Sequence, residues 1–277
     1  AVGGGIANSG QMTITDSTLD NNHAQSDGGG IANTGALLMT NSQVTTNNAR
    51  LAGGIHNSSS GNLTLVNSTI VENQAFSSAG ISNHGDFSIE NSRVTSNTAT
   101  YGKICFDVGC FFAGGYAGGI ENYGTLKLTN TTVSGNSALA DENGGDNTQF
   151  GGGLWNAGTT TSLYSTFIEN QADDNGGGIF NSGILTLNST VVNGNKVPEG
   201  GSGAPLLMRR VEVFTMKAPQ PLPGVLSAKT ILTMGTEGEP VVASGTVAQL
   251  LLKPLRFWTI KVAVVLAFSI PDRGNLG

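Results

Sequence analysis

The stretch "GGGIANTGALLMTNSQVTTNNA", residues 28–49, occurs in seven related copies between residues 3 and 197. Every copy keeps a glycine, one aliphatic residue and two asparagines at fixed offsets, while the charged residues vary. A period of about 25 residues indicates a repeat architecture, in which each unit stacks on the next. The kept residues should therefore be the ones that stack.

Five columns emerge when the copies are aligned on the aliphatic residue. This first column is Ile6, Ile31, Ile55, Ile81, Ile120, Leu154 and Ile179. Asn follows two residues later at Asn8, Asn33, Asn57, Asn83, Asn122, Asn156 and Asn181. A second apolar column is Leu19, Val44, Ile70, Val94, Val133, Phe167 and Val192, and three residues after it stand Asn22, Asn47, Asn73, Asn97, Asn136, Asn170 and Asn195. The last column is Ala24, Ala49, Ala75, Ala99, Ala138, Ala172 and Val197.

The segments between these columns are short, alternating and rich in β-branched residues, which is typical of strands separated by turns. We predict an all-β fold, a right-handed parallel β-helix of about seven to eight coils with about three strands per coil. Coils about 4.8 Å apart would make a rod of roughly 35 Å. The first column becomes an inward aliphatic ladder and the asparagines become hydrogen-bonded ladders. We expect the alternating segments of coils six and seven to slip by about one residue. A β-sandwich of Gly-rich hairpins is the alternative, but it does not explain columns that stay in phase.

A known family has similar repeats. "GGGI-x-N", followed by an apolar residue, two variable residues and Asn, resembles the repeats of chlamydial polymorphic outer-membrane proteins, whose signature is GGA(I/L/V) with FxxN. "FIEN", residues 167–170, matches FxxN literally. The "LTLxNSTVxxNxA" pattern is similar to many bacterial right-handed parallel β-helix surface proteins. The resemblance covers residues 3–197, and it implies an exported bacterial protein that acts as an adhesin or an autotransporter passenger.

The composition narrows the class of molecule that this protein is expected to bind. The chain has 277 residues, 12% of them charged, and a net charge of −6. This acidic balance argues against nucleic acid as a partner. No apolar run reaches the roughly 18 residues of a membrane-spanning segment. Because Ala1 already adjoins a repeat, we expect a processed or excised piece, and any signal peptide would lie upstream.

Two insertions interrupt the repeat at one corner, at residues 100–117 and 139–150. Loops at equivalent corners of adjacent coils should project side by side, and such loops often form the binding face of a solenoid. The first contains Cys105 and Cys110, the only cysteines of the chain. In an exported protein they predict a local disulfide, with free thiols as the alternative.

Acidic residues cluster in the second insertion and in the coil after it. These residues are Asp141, Glu142, Asp146, Asp173 and Asp174. A solvated acidic loop is the favoured interpretation. A weak calcium site is the other, since calcium takes carboxylate and carbonyl oxygens. We predict no other cofactor or metal site.

One variable column lies between the aliphatic residue and its Asn, and it holds Glu121, Trp155 and Phe180 in coils five to seven. By alternation it faces outward. Aromatic faces beside carboxylates suit sugar rings, so these three residues are the candidate ligand contacts. The alternative is an outward aromatic stack that only stabilises its own sheet. His23, His56 and His84 fall in different columns, which predicts no metal-binding triad.

The character of the sequence changes after residue 197. All eight prolines lie at Pro198 or later. Residues 1–196 carry 14 acidic and 5 basic side chains, net −9, whereas residues 197–277 carry 5 and 8, net +3. We divide the chain into a β-helix domain, 1–197, and a non-repeat tail, 198–277. The tail has three open interpretations: a cap, a poorly ordered extension or a frame-shifted gene end.

These features favour a non-catalytic bacterial cell-surface or secreted protein that binds carbohydrate or another host or cell-surface ligand. A polysaccharide lyase or glycoside hydrolase is the alternative. A glycosidase needs two positioned carboxylates, and no motif here links two of them, so we assign no catalytic residue.

Overall fold

The chain divides into two compact units, Ala1–Met208 and Arg209–Gly277. The structure is a computed structural model. It describes the backbone and side chains of residues 3–100, 116–140 and 149–198, and the backbone alone of residues 102–106, 109–113, 213–216, 230–233, 241–243 and 262–264.

The first unit is a right-handed parallel β-helix in which every coil contributes strands to stacked parallel sheets, here called sheets A to D. Sheet A contains Ile6–Asn8, Ile31–Asn33, Ile55–Asn57, Ile81–Asn83, Ile120–Asn122, Leu154–Asn156 and Ile179–Asn181. Sheet B contains Gln11–Thr15, Ala36–Thr40, Asn62–Val66, Asp86–Glu90, Thr125–Thr129, Thr159–Leu163 and Ile184–Asn188. Sheet C contains Thr18–Asp20, Gln43–Thr45, Thr69–Val71, Arg93–Thr95, Thr132–Ser134, Thr166–Ile168 and Val191–Asn193. Sheet D contains His23–Asp27, Asn48–Leu51, Gln74–Ser77, Thr98–Thr100, Ser137–Leu139 and Gln171–Ala172.

The prediction of three strands per coil was wrong, because coils one to six have four strands each, while in coil seven the described residues form three strands and a single bridge at Lys196. The additional strand of each coil belongs to sheet D and contains the alanine column. Sequence reasoning counted this segment as part of a corner. Its residues are small and polar, so they lack the β-branched alternation by which strands are recognised. They form a strand because the coil above and the coil below present the same backbone in register, as Gln74↔Thr98 and Ala75↔Ala99 show.

The predicted aliphatic column is confirmed as a buried stack in register. Ile55 pairs with Ile81, and Ile81 pairs with Ile120. From Ile31 to Leu154 these side chains are fully buried, whereas Ile6 and Ile179 in the end coils are partly buried. Side chains from sheets B and C complete the core.

Both asparagine columns form continuous ladders. In the first ladder the side-chain Nδ2 of each Asn donates to Oδ1 of the Asn in the next coil, as Asn57 does to Asn83 at 2.8 Å. In the second ladder Asn73 donates through both its backbone N and Nδ2 to Oδ1 of Asn97, each at 3.0 Å. Nδ2 of Asn73 also donates to the carbonyl oxygen of Val44 in the preceding coil. Each amide therefore joins three coils.

A third ladder, of hydroxyls, was not predicted. The side-chain oxygen of Ser68 accepts from the backbone N of Ser42 at 3.1 Å and donates to the carbonyl oxygen of Val66 at 2.8 Å. Ser92 repeats this arrangement for Ser68. The "NS" pairs that resemble glycosylation sequons thus have a structural role at the corner between sheets B and C.

The predicted slip in coils six and seven was wrong. Thr125–Thr129 pairs in straight register with Thr159–Leu163. Instead of slipping, the sixth coil places Thr160 and Ser162 at core positions. The Thr160 hydroxyl donates to Asn156 Oδ1 at 2.7 Å, and the Ser162 hydroxyl lies 2.9 Å from that of Thr190. These hydrogen bonds satisfy polar groups that would otherwise be costly to bury.

The glycines of the repeat are needed for two different structural reasons. Gly28 has a φ of +65° at the corner between sheets D and A. Gly53 stands elsewhere in the corner, where a Cβ would lie 2.2 Å from the carbonyl oxygen of Gln74. At Gly53 the backbone of sheet D comes too close for a side chain, whereas the equivalent position of coil four accommodates Ala79, which is fully buried.

In the second unit the described residues form a four-stranded sheet of their own. Its strands are Val213–Met216, Thr230–Thr233, Val241–Ala243 and Val262–Val264, with two antiparallel pairings and one parallel pairing. In the first unit the last pairing of the repeat joins Gln171 to Lys196.

Candidate functional site

The three predicted ligand contacts lie on consecutive coils of sheet A. Glu121 pairs with Trp155, and Trp155 pairs with Phe180. Because side chains alternate along a strand, all three lie on the outer face of the sheet, opposite the aliphatic stack. The structure therefore brings them together, although their environments differ.

Glu121 is not the exposed contact that its position in the column suggested. Its side chain is only 6% exposed. Oε2 accepts hydrogen bonds from the hydroxyl of Ser78 and, at 3.0 Å, from that of Ser82. The small serines of the preceding coil leave room for the carboxyl group to turn back onto them, which sequence alternation alone cannot show. Burial raises the pKa of Glu121, and the two serine hydrogen bonds offset part of that rise.

Trp155 is the centre of a cluster of rings. Its ring centroid lies 4.9 Å from that of Tyr123 in an edge-to-face arrangement and 5.8 Å from that of Tyr116. The ring of Phe180 is nearly parallel to it at 6.5 Å. Trp155 and Phe180 are partly buried, and Tyr123 is 47% exposed. Neither Trp155 nor Phe180 belongs to the buried core.

Two of these rings come from the ends of the insertions, and sequence reasoning missed them. Tyr116 and Phe150 pair as neighbouring corner residues of coils five and six. The centroid of Phe150 lies 4.6 Å from that of Phe180, and the centroids of Tyr116 and Phe150 lie 6.4 Å apart. Both residues stand directly before the corner that precedes the glycines, so aligning the insertions from their C-terminal ends would have placed them together. We call Tyr116, Tyr123, Phe150, Trp155 and Phe180 the aromatic strip.

Two histidines extend the strip toward the first coils. The ring of His84 stacks on Tyr123 at 4.7 Å, and that of His56 lies 5.6 Å from His84. The two histidines belong to different columns, as predicted, but residues of neighbouring columns on adjacent coils are still close enough for their rings to interact. Burial lowers the pKa of His56, an effect that Asp27 partly offsets. Burial, with smaller effects of Glu121 and Tyr116, raises the pKa of Tyr123 to about 12.

The outer face of sheet A therefore offers rings for apolar contact beside hydroxyl and imidazole groups. A hydroxyl whose pKa is about 12 stays protonated at neutral pH, so Tyr123 both donates and accepts hydrogen bonds there. Such a surface can bind a ligand that has apolar faces and many hydroxyl groups.

The acidic cluster is only partly described. Asp141, Glu142 and Asp146 lie outside the described residues. Asp173 accepts a hydrogen bond from the backbone N of Ala140 at 2.8 Å, which fastens the start of the second insertion to coil six. Burial raises the pKa of Asp174, whose Oδ2 is buried and has no hydrogen-bond partner.

The cysteine pair lies in a hairpin within the first insertion. Strand Gly102–Phe106 pairs antiparallel with Gly109–Ala113, and Cys105 stands directly opposite Cys110. Their side chains are outside the described residues, so the disulfide stays a prediction, now with a backbone register that places the two residues opposite each other.

Among the residues that the structure describes, no three His, Cys, Asp or Glu side chains are grouped so that they could hold a metal ion. In the same part of the chain no helix has the length and apolar character needed to cross a membrane.

A polar depression of about 520 Å³ lies at the corner between sheets C and D. Thr46, Glu72 and Ser96 are among the side chains that line it. It contains no aromatic residue, so it lacks the broad apolar contact area of the strip.

Comparison with known proteins gives no assignment: no family model, no curated protein and no solved structure matches this chain.

Proposed function

We propose that this protein is a non-catalytic glycan-binding protein that acts in adhesion, at the surface of a bacterial cell or in its secreted fraction. One observation carries the proposal: rings of three consecutive coils, Tyr123, Trp155 and Phe180, form a continuous aromatic surface on the outside of the solenoid.

The strip has the properties that sugar recognition requires. Aromatic side chains provide a large contact area with little loss of conformational freedom, and they dominate the energetics of many interfaces. A pyranose ring presents an apolar face of C–H groups that fits an aromatic ring, with hydroxyls at its edge. Tyr123 is half exposed, so the strip is open to solvent at its centre.

The proposed location has separate support. The chain has few charged residues, and its repeats resemble those of exported bacterial surface proteins. Stacked coils also produce an extended surface, which repeat proteins commonly use for binding.

A screen on a glycan array, followed by calorimetry, tests the proposal. Trp155→Ala should weaken binding of the selected glycan by about 1–3 kcal/mol, since it removes the central ring, while the β-helix stays folded. Tyr164→Ala is the matched control, because Tyr164 is 63% exposed at the corner between sheets B and C and lies outside the strip. If Trp155→Ala binds as tightly as the unchanged protein, the proposal fails.

A polysaccharide lyase or glycoside hydrolase is the second candidate, and one observation favours it. Glu121 is a buried carboxyl with a raised pKa beside the aromatic strip, as a general acid would be. An assay of polysaccharide cleavage with the unchanged protein and with Glu121→Gln tests this candidate. Cleavage that disappears in the variant would replace the binding function with catalysis.

A further inference from the structure

We infer that the ligand of the aromatic strip is an uncharged oligosaccharide that lies parallel to the axis of the solenoid, a conclusion that rests on the proposed glycan-binding function. Two independent features of the outer face of sheet A lead to it: the direction in which the rings continue, and the sign of the charges beside them.

The rings continue along the axis rather than across it. From His56 in coil three to Phe180 in coil seven they follow one another through Tyr123 and Trp155. Four intervals of about 4.8 Å span roughly 19 Å. Across the coil, each strand of sheet A has three residues, or about 10 Å. A ligand that contacts all these rings must therefore be a chain of several sugars running along the axis.

The charges beside the rings are negative. Glu121 lies in the outer column of sheet A, in the coil before Trp155, and Asp27, at the end of a strand of sheet D, interacts with His56. The column of Glu121 and the corner column of Tyr116 and Phe150 contain no Lys or Arg in any coil, and residues 1–196 carry a net charge of −9.

Among the residues of these two columns, a carboxylated or sulfated sugar would find no Lys or Arg as a partner. Anionic ligands are usually held by Arg or Lys through charge-assisted hydrogen bonds. Placing a second carboxylate beside that of Glu121 would also be unfavourable, since like charges disfavour each other's ionised form. The strip therefore selects sugars that carry hydroxyl groups without acidic groups.

Polar groups along the strip suit hydroxyl ligands. The Tyr123 hydroxyl can donate and accept, and the exposed His84 ring adds further polar nitrogen atoms. The Tyr123 hydroxyl and the His84 ring lie along the same line of rings, so a chain of sugars would meet both rings and polar groups.

Calorimetry with two oligosaccharide series tests the inference. The first is a neutral series, from a disaccharide to an octasaccharide, of the type selected by the array. The second is the corresponding uronic acid series of equal length and linkage. The full chain is used at low and at moderate salt, because charge repulsion is screened by salt.

We expect affinity in the neutral series to rise with length and then to level off once the strip is covered. The uronic acids should bind at least about tenfold more weakly at low salt, a difference of about 1.4 kcal/mol, and the difference should shrink as salt is added. His84→Ala should weaken the long neutral chains and leave the shortest unchanged, because His84 belongs to the histidine extension at one end of the strip.

The possible failures are distinguishable. Uronic acids that bind as tightly as neutral chains, or more tightly, overturn the charge selection while glycan binding stands. A disaccharide that binds as tightly as the octasaccharide overturns the axial placement. No binding in either series, or binding only of a protein partner, overturns the inference together with the proposed function.

Discussion

At the scale of single residues, the amides of the asparagine ladders explain why the repeat tolerates so little change. Nδ2 of Asn33 donates to Oδ1 of Asn57 at 2.8 Å and to the carbonyl oxygen of Gly35 at 3.0 Å, while its own Oδ1 accepts from Asn8. Asn33 is fully buried. No other side chain of this size offers a donor and an acceptor in the same plane, so replacement leaves buried polar groups unpaired in two neighbouring coils.

Glu121 gives a prediction about pH. Its pKa is raised in the folded protein, so the folded state holds the proton more tightly than the unfolded chain. Its contribution to stability is therefore complete below the pKa of the unfolded carboxyl, about 4.3, and is lost as pH rises through the higher folded pKa. Glu121→Gln removes this loss, so the variant should gain melting temperature over the unchanged protein as pH rises through this window.

Thermal melts of both proteins across this pH range measure the difference. Glu169→Gln, at an exposed position, controls for the removal of one negative charge. A difference between Glu121→Gln and the unchanged protein that stays constant with pH would show that the buried carboxyl does not titrate as described.

At the scale of elements, the strands are short and the contacts between coils determine the fold. The corner glycines and the aliphatic stack both act on these contacts. The glycines let sheet A approach sheet D, and the stack fills the space between the sheets. A substitution in each of them tests these contacts, and another residue of the chain provides a matched control.

Gly53→Ala should disrupt the coil. The new Cβ would meet the carbonyl oxygen of Gln74 at 2.2 Å, and the atoms next nearest are also backbone, so no flexible side chain can move aside. We expect a loss of stability of at least about 2 kcal/mol. Gly10→Ala is the control, since no atom lies within 4 Å of its Cβ. Equal denaturation midpoints for the two variants would disprove the close approach.

Ile81→Ala should leave a cavity between Ile55 and Ile120, its partners in the neighbouring coils. A buried Ile→Ala change of this kind costs about 2–4 kcal/mol. Ile184→Ala removes the same atoms from a side chain that is 65% exposed, and it should change stability by less than about 0.5 kcal/mol. Chemical denaturation of both variants provides the comparison, and a small effect at Ile81 would contradict the stack.

The columns could be predicted from the sequence because stacking makes each residue the neighbour of its own counterpart, so Ile81 and Asn83 are recognisable without coordinates. The hydroxyl ladder through Ser68 was missed because Ser and Thr are also common in exposed turns. The burial of Glu121 could not be predicted, since it depends on the small size of Ser82 in a different coil. Alternation along a strand predicts on which face of the sheet a side chain lies, but it does not predict how deeply that side chain is buried.

At the scale of the whole β-helix unit, one outer face differs from the other sides of the solenoid. The aromatic strip gathers rings from strands of sheet A and from the ends of both insertions, whereas the depression between sheets C and D is polar. The repeat sets the spacing between coils, and the residues that depart from the repeat pattern provide the aromatic rings. The proposed function therefore depends on coils five to seven, where both insertions occur.

Fluorescence of Trp155 during glycan binding tests the central claim most directly. The chain has two tryptophans, so Trp258→Phe leaves Trp155 as the single indole. The account predicts that its emission changes and saturates as the selected neutral oligosaccharide is added, with the affinity measured by calorimetry. Calorimetric binding without any change in Trp155 emission would place the ligand elsewhere and contradict the account.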